Sequence, residues 1–423
     1  MIYTNQRFLR ILSASLLILS TAAYAAAESP WALPNMAARL EVKLSNPGDT
    51  EVDTLAVVPV KDAARVAPHF PGATAVAVTP SPLALLPSQA DDLDGDGAPD
   101  EFVFPVHLKP HASLIVHLYY SQTLTRVVPW PQQVSASHSF GYNRATAALE
   151  SAKIGYRTYG GLFLDVQARA AGSPGLFNEI VGLASPSLAP GLAIGRDILH
   201  IGDTLGLGGL FLRSGSDVYR PPVNVPDYAH KPENPEAPVY RVISSGPIRA
   251  VIEARIDHWT IGSDAVLVRA LYSIAANSEA VTCRFEILPL HLTRTYEVGS
   301  GVLHLPKGRV SATVGRILVT GEQNPAIGPL GLATAYSTAA ASPAGVLETS
   351  EGASESFVFH QRLEPGIAII GSYQLAGAWS GSGITVLDRH LAEVLDESQR
   401  QIRIDGYTLS FTPKPDQIEG EPR

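Results

Sequence analysis

Cysteine is almost absent from this chain, since Cys283 is its single example among 423 residues. One cysteine cannot form a disulfide within the chain, which excludes a small scaffold held together by disulfides. Apolar and polar residues alternate from Val281 to Phe285, which predicts Cys283 as a small buried hydrophobe rather than a nucleophile. Stability must therefore come from a hydrophobic core, and a hydrophobic content of 45% allows one large domain or two ordinary ones.

Basic runs are missing as well. The 31 lysines and arginines are dispersed, and the formal net charge is −9. No basic stretch interleaves with aromatic residues, so nucleic acid is not expected as a partner. The sequence also lacks a G-x-S-x-G elbow, an H-E-x-x-H motif and a cysteine metal cluster, which argues against serine hydrolases and zinc enzymes.

The one long apolar run lies at the N-terminus. Arg7 and Arg10 precede Ile11–Ala22, which is too short for a stable membrane anchor, and Ala23-Tyr24-Ala25 supplies small residues for cleavage. This pattern predicts a bacterial signal peptide at residues 1–25 and export to the periplasm or cell exterior. After cleavage no membrane association is expected. A short membrane anchor is the alternative, which the polar residues that follow disfavour.

The 36 glycines and 33 prolines divide the rest into short apolar runs, most of which alternate with period two. Such runs are typical of β-strands, and their number without interleaved helices favours stacked sheets and an all-β fold. Asp388–Gln399 is the best helix candidate. A boundary near Pro129–Gln133 predicts a small N-terminal β region at residues 36–128 and a main β-sandwich domain at residues 134–415.

The sharpest motif is an acidic loop. Asp92, Asp94 and Asp96 have the spacing of the first three ligands of a calcium loop, Gly97 permits a sharp turn, and Asp100 stands at the ninth position. The twelfth position is valine rather than glutamate, so this is not an EF-hand. The pattern predicts a structural Ca²⁺ site, and the alternative is an acidic, solvated turn.

Arg157 and Tyr159 lie on one face of a predicted strand, with Tyr156 on the other. An arginine beside a tyrosine could grip a carboxylate and transfer a proton, and the alternative is a core tyrosine with a surface ion pair. Further along, Asp197 and His200 are either acid–base groups or hydrogen-bonded core residues.

Two later segments carry candidate binding residues. Tyr219 and Arg220 precede a long proline-rich loop that presents Tyr228 and His230, either as the wall of a polar ligand site or as an ordinary exposed loop. His258 and Trp259 could stack on a sugar ring, or Trp259 could lie in the interior.

Taken in order, several stretches resemble the domain-of-unknown-function family 4861 from about residue 38 to about residue 290. The stretches that carry this resemblance are Leu40-Glu41-Val42, Asn46-Pro47, Pro87-Ser88-Gln89, Asp100-Glu101, Glu150, Tyr156-Arg157-x-Tyr159, Asp197, Ile201-Gly202, Leu205-Gly206-x-Gly208-Gly209, Gly246-Pro247-Ile248-Arg249 and Trp259.

The resemblance implies a secreted protein of carbohydrate-degradation loci, with a large β-supersandwich of the polysaccharide-lyase and mutarotase type. It also implies a similarity to an oligosaccharide dehydratase that acts on a terminal uronic acid. The family pattern has a Tyr-His pair shortly before the Asp197 stretch, whereas Ser185–Ala193 contains neither residue here. The chain would then use His230 with Tyr228, act on another substrate, or be inactive.

The leading hypothesis is therefore a lyase or dehydratase that performs β-elimination on uronic-acid-containing oligosaccharides. Arg157 would hold the carboxylate, Tyr228 and His230 would be the acid–base pair with Tyr159 near them, and Trp259 would stack on the sugar beside His258, Tyr219 and Arg220. The alternatives are a non-catalytic carbohydrate-binding protein and then a glycoside hydrolase. The sequence does not determine the sugar or the oligomeric state.

Overall fold

The computed structural model describes residues 31–121, 129–141, 144–159, 161–169, 195–202, 204–221, 236, 238–325, 327–337, 342–348, 354–379 and 383–411. Over these ranges the chain is nearly all β, with five antiparallel sheets, which confirms the predicted fold class. The signal peptide predicted at residues 1–25 lies outside the described residues. None of the helices in the described ranges is long and apolar enough to cross a membrane.

Two sheets form the N-terminal unit and enclose a core of their own. Sheet A has the strand order β26-β1-β7-β3-β4, and sheet B has the order β2-β6-β5. The elements are β1 (Ala38–Ser45), β2 (Val52–Pro59), α1 (Val60–Val66), β3 (Val76–Pro80), β4 (Leu83–Leu86), β5 (Gln89–Asp91), β6 (Glu101–Leu108), β7 (Ser113–Tyr120) and β26 (Arg403–Phe411). Alternate residues such as Leu40 and Val42 of β1 meet Phe102 and Phe104 of β6 in this core.

The last strand corrects the predicted division at residues 36–128 and 134–415. β26 comes from the C-terminal end of the chain, yet it pairs with β1 of the N-terminal unit, with Leu40 opposite Leu409. β1 thereby has β7 on one side and β26 on the other, so both rows of its backbone groups are hydrogen-bonded. Local strand patterns cannot identify a partner so far away in sequence.

The main unit has one large sheet and two smaller ones. Sheet E has the order β15-β16-β17-β18-β25-β22-β21-β20, sheet C has the order β12-β11-β10-β9-β8, and sheet D has the order β14-β13-β19-β24-β23. The elements are β8 (Val134–Gly141), β9 (Arg144–Ser151), β10 (Ile154–Tyr159), β11 (Asp165–Arg169), β12 (Gly195–Asp197), β13 (Leu207–Ser214), β14 (Asp217–Tyr219), β15 (Val239–Ser245), β16 (Arg249–Ile261), β17 (Asp264–Ala275), β18 (Ala280–His291), β19 (Tyr296–Leu303), β20 (Arg309–Thr313), β21 (Arg316–Gly321), β22 (Leu330–Tyr336), β23 (Ser342–Glu348), β24 (Ser354–Leu363), β25 (Ile369–Trp379) and α2 (Ile384–Gln399).

Sheets C and D lie side by side over sheet E. A β-bridge between Leu164 and Leu207 links them, and their apolar faces share one continuous core with sheet E. The arrangement is a large sandwich in which long β-strands face two shorter sheets. Helix α2 packs against sheet E with Leu387, Leu391 and Leu395, and it begins four residues before the predicted Asp388.

Candidate functional site

Strand β10 separates an apolar face from a polar one. Tyr156 is fully buried on the side that meets sheet E, and its hydroxyl accepts a hydrogen bond from the backbone N–H of Gly377 at 2.8 Å. A Cβ atom on Gly377 would lie 2.8 Å from Cγ1 of Val166, so glycine permits this close approach of the two sheets. Arg157 consequently lies on the opposite face of sheet C, as the alternation predicted.

The polar face is assembled by the strand register. One row across five strands holds Ser135, Glu150, Gly155, Gln167 and Asp197, each paired with the next. The members of this row that have side chains are at most 8% exposed. A sheet face that is both buried and polar must satisfy its groups through hydrogen bonds or ligands, because an unpaired buried polar group is costly.

The adjacent row of the same face pairs Arg157 with Asp165, and together with Asp197 of the first row they form a charge cluster, which we call the Asp–Arg–Asp triad. One guanidinium nitrogen, Nη2 of Arg157, lies 2.6 Å from Oδ2 of Asp165 and 2.6 Å from Oδ2 of Asp197. Asp165 is fully buried, Arg157 is 5% exposed and Asp197 is 8% exposed. Gln167 also donates to Oδ2 of Asp165 at 3.3 Å.

The pKa of the Asp165 carboxyl group is raised. Burial raises its pKa well above the ordinary value and the nearby carboxylate of Asp197 raises it further, while Arg157 and the backbone N–H of Val166 act in the opposite direction. A carboxyl group whose pKa is raised beside a second carboxylate is an arrangement that can donate and accept protons. Asp197, at the end of β12, is the more exposed of the two.

Of the catalytic residues expected from the sequence, the structure describes the side chain of Arg157 alone. Arg157 belongs to the triad, where two aspartates already occupy its guanidinium, so it is not an open clamp in this structure. The backbone of Tyr159 pairs with Thr146 two residues along β10, and its side chain lies outside the described residues. Tyr228 and His230 also lie outside the described residues, and their roles stay predictions.

Tyr219 ends β14 of sheet D, Arg220 follows it directly, and both have partners of their own. Arg220 pairs with the fully buried Glu355, with Nη2 2.6 Å from Oε2. The hydroxyl of Tyr219 accepts a hydrogen bond from Nη2 of Arg294 at 2.6 Å, and its ring lies 5.9 Å from that of Tyr296. The structure therefore assigns these two residues to separate contacts rather than to the triad.

His258 and Trp259 do not form a joint stacking surface. The register of β16 shifts between Ile256 and Trp259, so the bulge exposes Asp257 and His258 while it turns Trp259 inward. Trp259 is 3% exposed and packs in the large core, as the interior alternative has it. The structure therefore corrects the expectation that Trp259 stacks on a sugar, because no face of its ring is open to a ligand.

The acidic loop brings three of its four predicted ligands together. Ligand atoms of Asp92, Asp94 and Asp100 lie within 4.8 Å of one another, and Asp96 is outside this group. Asp92 accepts the backbone N–H groups of Gly95 at 2.6 Å and Gly97 at 2.8 Å, and the bond from Gly97 is the main cause that lowers the pKa of Asp92. Gly95 and Gly97 have φ angles of 83° and 92°, which glycine adopts without strain.

The fit to a hard cation is good in ligand type, because carboxylate oxygens suit Ca²⁺. A cation already lies beside the loop, however. A Cβ atom on Gly95 would be 2.6 Å from Nη1 of Arg241, whose Nε donates to Oε2 of Glu253 at 2.7 Å. The loop is also attached to the main unit, since Arg269 donates to the carbonyl of Leu93.

The sequence analysis did not single out Asp165 and Gln167. Both are polar positions that alternate with Leu164, Val166 and Ala168, and this alternation was the available signal for a polar sheet face. Their pairing with Arg157 and Asp197 depends on the register of three strands, which the pattern of one strand does not define.

Comparison with known proteins gives a family match. A family model described as a domain of unknown function, DUF4861, matches residues 45–162 and 193–403. The search of curated proteins finds no match. Two solved structures from Enterococcus faecalis are similar over most of this chain: a protein of glycosyl hydrolase family 38, at 9% identity and a TM-score of 0.46, and an alpha-mannosidase, at 8% identity and a TM-score of 0.44. The matches cover 90% and 89% of this chain but only 48% and 46% of those structures, so the chain spans about half of their length.

Proposed function

The chain belongs to the domain-of-unknown-function family 4861. We propose that it is an exported carbohydrate-active enzyme that breaks a carbon–oxygen bond of a uronic-acid-containing oligosaccharide. The observation that carries the proposal is the polar face of sheet C, with the Asp–Arg–Asp triad on it. Export rests on the predicted signal peptide at residues 1–25.

The residue types on this face match a sugar chemically. Carboxylates, an amide, a guanidinium and a hydroxyl can both donate to and accept from sugar hydroxyls. The face also places Asp165, a carboxyl whose pKa burial raises, beside a second carboxylate, and perturbed pKa values concentrate at functional sites.

The proposed reaction is β-elimination, as a lyase or a dehydratase performs it. A base removes the proton from the carbon next to the uronate carboxylate, the bond from the neighbouring carbon to its oxygen breaks, and the leaving oxygen takes up a proton. Asp165 and Asp197 would exchange these protons with the substrate or with Tyr228 and His230, and Arg157 would stabilise the negative charge that develops.

Hydrolysis is the second candidate, and the aspartate pair is the observation that favours it. Glycoside hydrolases use one protonated carboxyl as acid and a second carboxylate as base or nucleophile. The two aspartates that meet at Arg157 provide such a pair, which the sequence did not define.

Two readouts on one reaction separate these possibilities. We expect uronate-containing oligosaccharides to give the ultraviolet band of an unsaturated uronate, with new reducing ends for a lyase and without them for a dehydratase. New reducing ends without the band would favour hydrolysis. Neither signal, with binding still measurable by calorimetry, would favour the non-catalytic carbohydrate-binding protein.

The same assay tests the triad. Asp165→Asn and Asp197→Asn should each lower kcat/KM by about 100-fold or more, the usual contribution of a positioned acid or base. Asp165→Asn should stay folded, because asparagine resembles the neutral acid that burial favours at this position. Glu297→Gln is the matched control, since it changes an acidic residue paired with Arg213 at 2.7 Å in sheet D. Full activity of both aspartate variants would contradict the proposed site.

We further propose that the acidic loop binds a structural Ca²⁺ ion through Asp92, Asp94 and Asp100. Calcium should raise the melting temperature of the mature protein, and a chelator should reverse the change. At a free calcium concentration of 100 times the dissociation constant, the free energy of unfolding should rise by about 2.7 kcal/mol. Asp92→Asn or Asp100→Asn should abolish the response, whereas Asp96→Asn should keep most of it. No response in the unaltered protein would favour an acidic, solvated turn.

A further inference from the structure

A cavity lies at the junction of the N-terminal and main units, away from the triad. Its volume is about 470 Å³, and the residues around it come from the N-terminal unit, from the linker before β8 and from the turn that follows β15. Ligand pockets in proteins typically measure roughly 300–1,000 Å³. This cavity is therefore large enough for a sugar ring and part of its neighbour.

Trp130 is the aromatic side chain that distinguishes this cavity. It lies between Pro129 and Pro131 in the linker, is half-buried and lines the cavity. The other three tryptophans are committed elsewhere: Trp259 packs in the core, Trp379 donates to the carbonyl of Ile327, and Trp31 packs against Tyr119. Within the described ranges, Trp130 belongs to none of the apolar clusters.

The backbone around Trp130 is held in place by the main unit. The backbone N–H of Gln133 donates to the carbonyl of Pro247 at 2.8 Å, and Nε2 of Gln132 donates to the carbonyl of Ser245 at 3.1 Å. A Cβ atom on Gly246 would lie 2.9 Å from Cγ of Gln132, so glycine permits this contact. The ring is thus carried by a fixed segment, which lowers the entropy cost of binding.

The chemistry of the walls selects the ligand. Beside Trp130 the cavity presents the amide oxygen of Gln132 and the hydroxyl of Ser88, while the hydroxyl of Ser245 already accepts the backbone N–H of Ala136 at 2.9 Å. None of the described residues that line the cavity is charged. Ser88 is 8% exposed, and among the described residues no side chain is bonded to its hydroxyl. An aromatic face with neutral hydrogen-bonding groups suits the apolar C–H face and the hydroxyls of an uncharged sugar.

We propose that this cavity is a binding subsite for a neutral sugar unit, with Trp130 as its stacking platform. The inference rests on the proposed carbohydrate function and extends it to the substrate class. The oligosaccharide would contain both uronate and neutral sugars. A neutral sugar would bind at the junction of the N-terminal and main units of the protein.

Tryptophan fluorescence tests the subsite without catalysis. Mannopentaose, xylopentaose and a galacturonate tetrasaccharide are titrated into the protein at low and high salt. At least one neutral probe should quench the fluorescence, with a dissociation constant that changes less than about twofold with salt, because none of the described residues that line the cavity is charged. Quenching by the uronate probe alone, or by no probe, overturns the proposal.

Variants assign the signal to one ring. Trp130→Ala should weaken binding of the neutral probe at least about tenfold by calorimetry. Trp130→Phe should keep the affinity for the neutral probe within a few-fold but lose the fluorescence quench. This variant replaces the alanine variant in the test if the latter does not fold. Trp31→Phe is the matched control and should keep both signals. Unchanged affinity in Trp130→Ala, or a retained quench in Trp130→Phe, overturns the proposal.

Failure of the proposed reaction would appear differently. If Asp165→Asn keeps full turnover while Trp130→Ala loses the neutral probe, the triad is not the reaction centre and the subsite stands. If Asp165→Asn is inactive and Trp130→Ala binds as the unaltered protein does, the reaction centre stands and the subsite fails.

Discussion

Replacing Arg157 with alanine is expected to lower the free energy of unfolding by about 3–5 kcal/mol at neutral pH. Nη2 of Arg157 is 2.6 Å from a carboxylate oxygen of each aspartate of the triad, and all three residues are buried or nearly so. Without the guanidinium, two carboxyl groups remain in a poorly solvated place with no cation beside them. Urea unfolding of the variant and the unaltered protein measures this difference.

The destabilisation should depend on pH in a defined direction. Burial already raises the folded-state pKa of Asp165, and Arg157 is a cation that lowers it. Loss of Arg157 should raise this pKa further, so the folded variant binds more protons than the unfolded chain. Stability of the variant is then greatest at acidic pH and is lost as the pH rises through the raised folded pKa. We expect a smaller deficit at pH 4.5 than at pH 7.5.

A second substitution isolates the charge effect from lost packing. Arg157→Ala combined with Asp197→Asn removes one of the stranded carboxylates, and we expect recovery of more than about 1 kcal/mol relative to Arg157→Ala alone. A deficit below about 1 kcal/mol for Arg157→Ala, equal at both pH values, would contradict a buried charge cluster.

Much of the fold follows from period-two alternation. The strand that holds Tyr156 and Arg157 has its two faces as predicted, and Cys283 is a fully buried residue of the large core. Burial raises the pKa of its thiol to about 12, which agrees with the role of a hydrophobe. The family was also identified from ordered short stretches, and its model extends to residue 403, well beyond the region where the resemblance was predicted.

The site was less predictable because it depends on register. Arg157 was chosen from its own strand, but Asp165 and Asp197 come from two other strands whose alignment fixes the triad. Trp259 shows a different difficulty, since a single extra residue in β16 decides which way the ring points. Trp130 lies in a linker without periodicity, and its cavity exists only where the two units meet.

The junction of the two units carries the second large prediction. Arg249, at the start of β16, reaches into the N-terminal unit, where Nε donates to Oδ2 of Asp91 at 2.7 Å and Nη1 lies 2.8 Å from Oε2 of Glu101. Burial by itself lowers the pKa of Arg249, but the two carboxylates outweigh it and leave that pKa above the ordinary value. Gln89 reinforces the contact, because its side-chain oxygen accepts the backbone N–H groups of Ile248 and Arg249.

Arg249→Met should therefore lower the free energy of unfolding by about 3–5 kcal/mol, because Asp91 is 2% exposed and would lose its cation. Arg284→Met is the matched control. Arg284 pairs with the same Glu101 at 2.8 Å, but its side chain is 50% exposed, so its loss should cost at most about 1 kcal/mol.

Hydrogen exchange should locate where Arg249→Met acts. Amides of β5 and β6 should exchange faster, because the ion pairs that hold these strands against β16 are lost, whereas the paired centre of β17 and β18 should keep its protection. The Trp130 cavity lies at the same junction and includes Gln89 in its wall, so the quench by a neutral sugar should weaken in this variant while the triad keeps its contacts. Equal exchange in β5 and β6 of both proteins would mean that Arg249 stabilises β16 alone, and the two units would then be joined mainly by their other contacts.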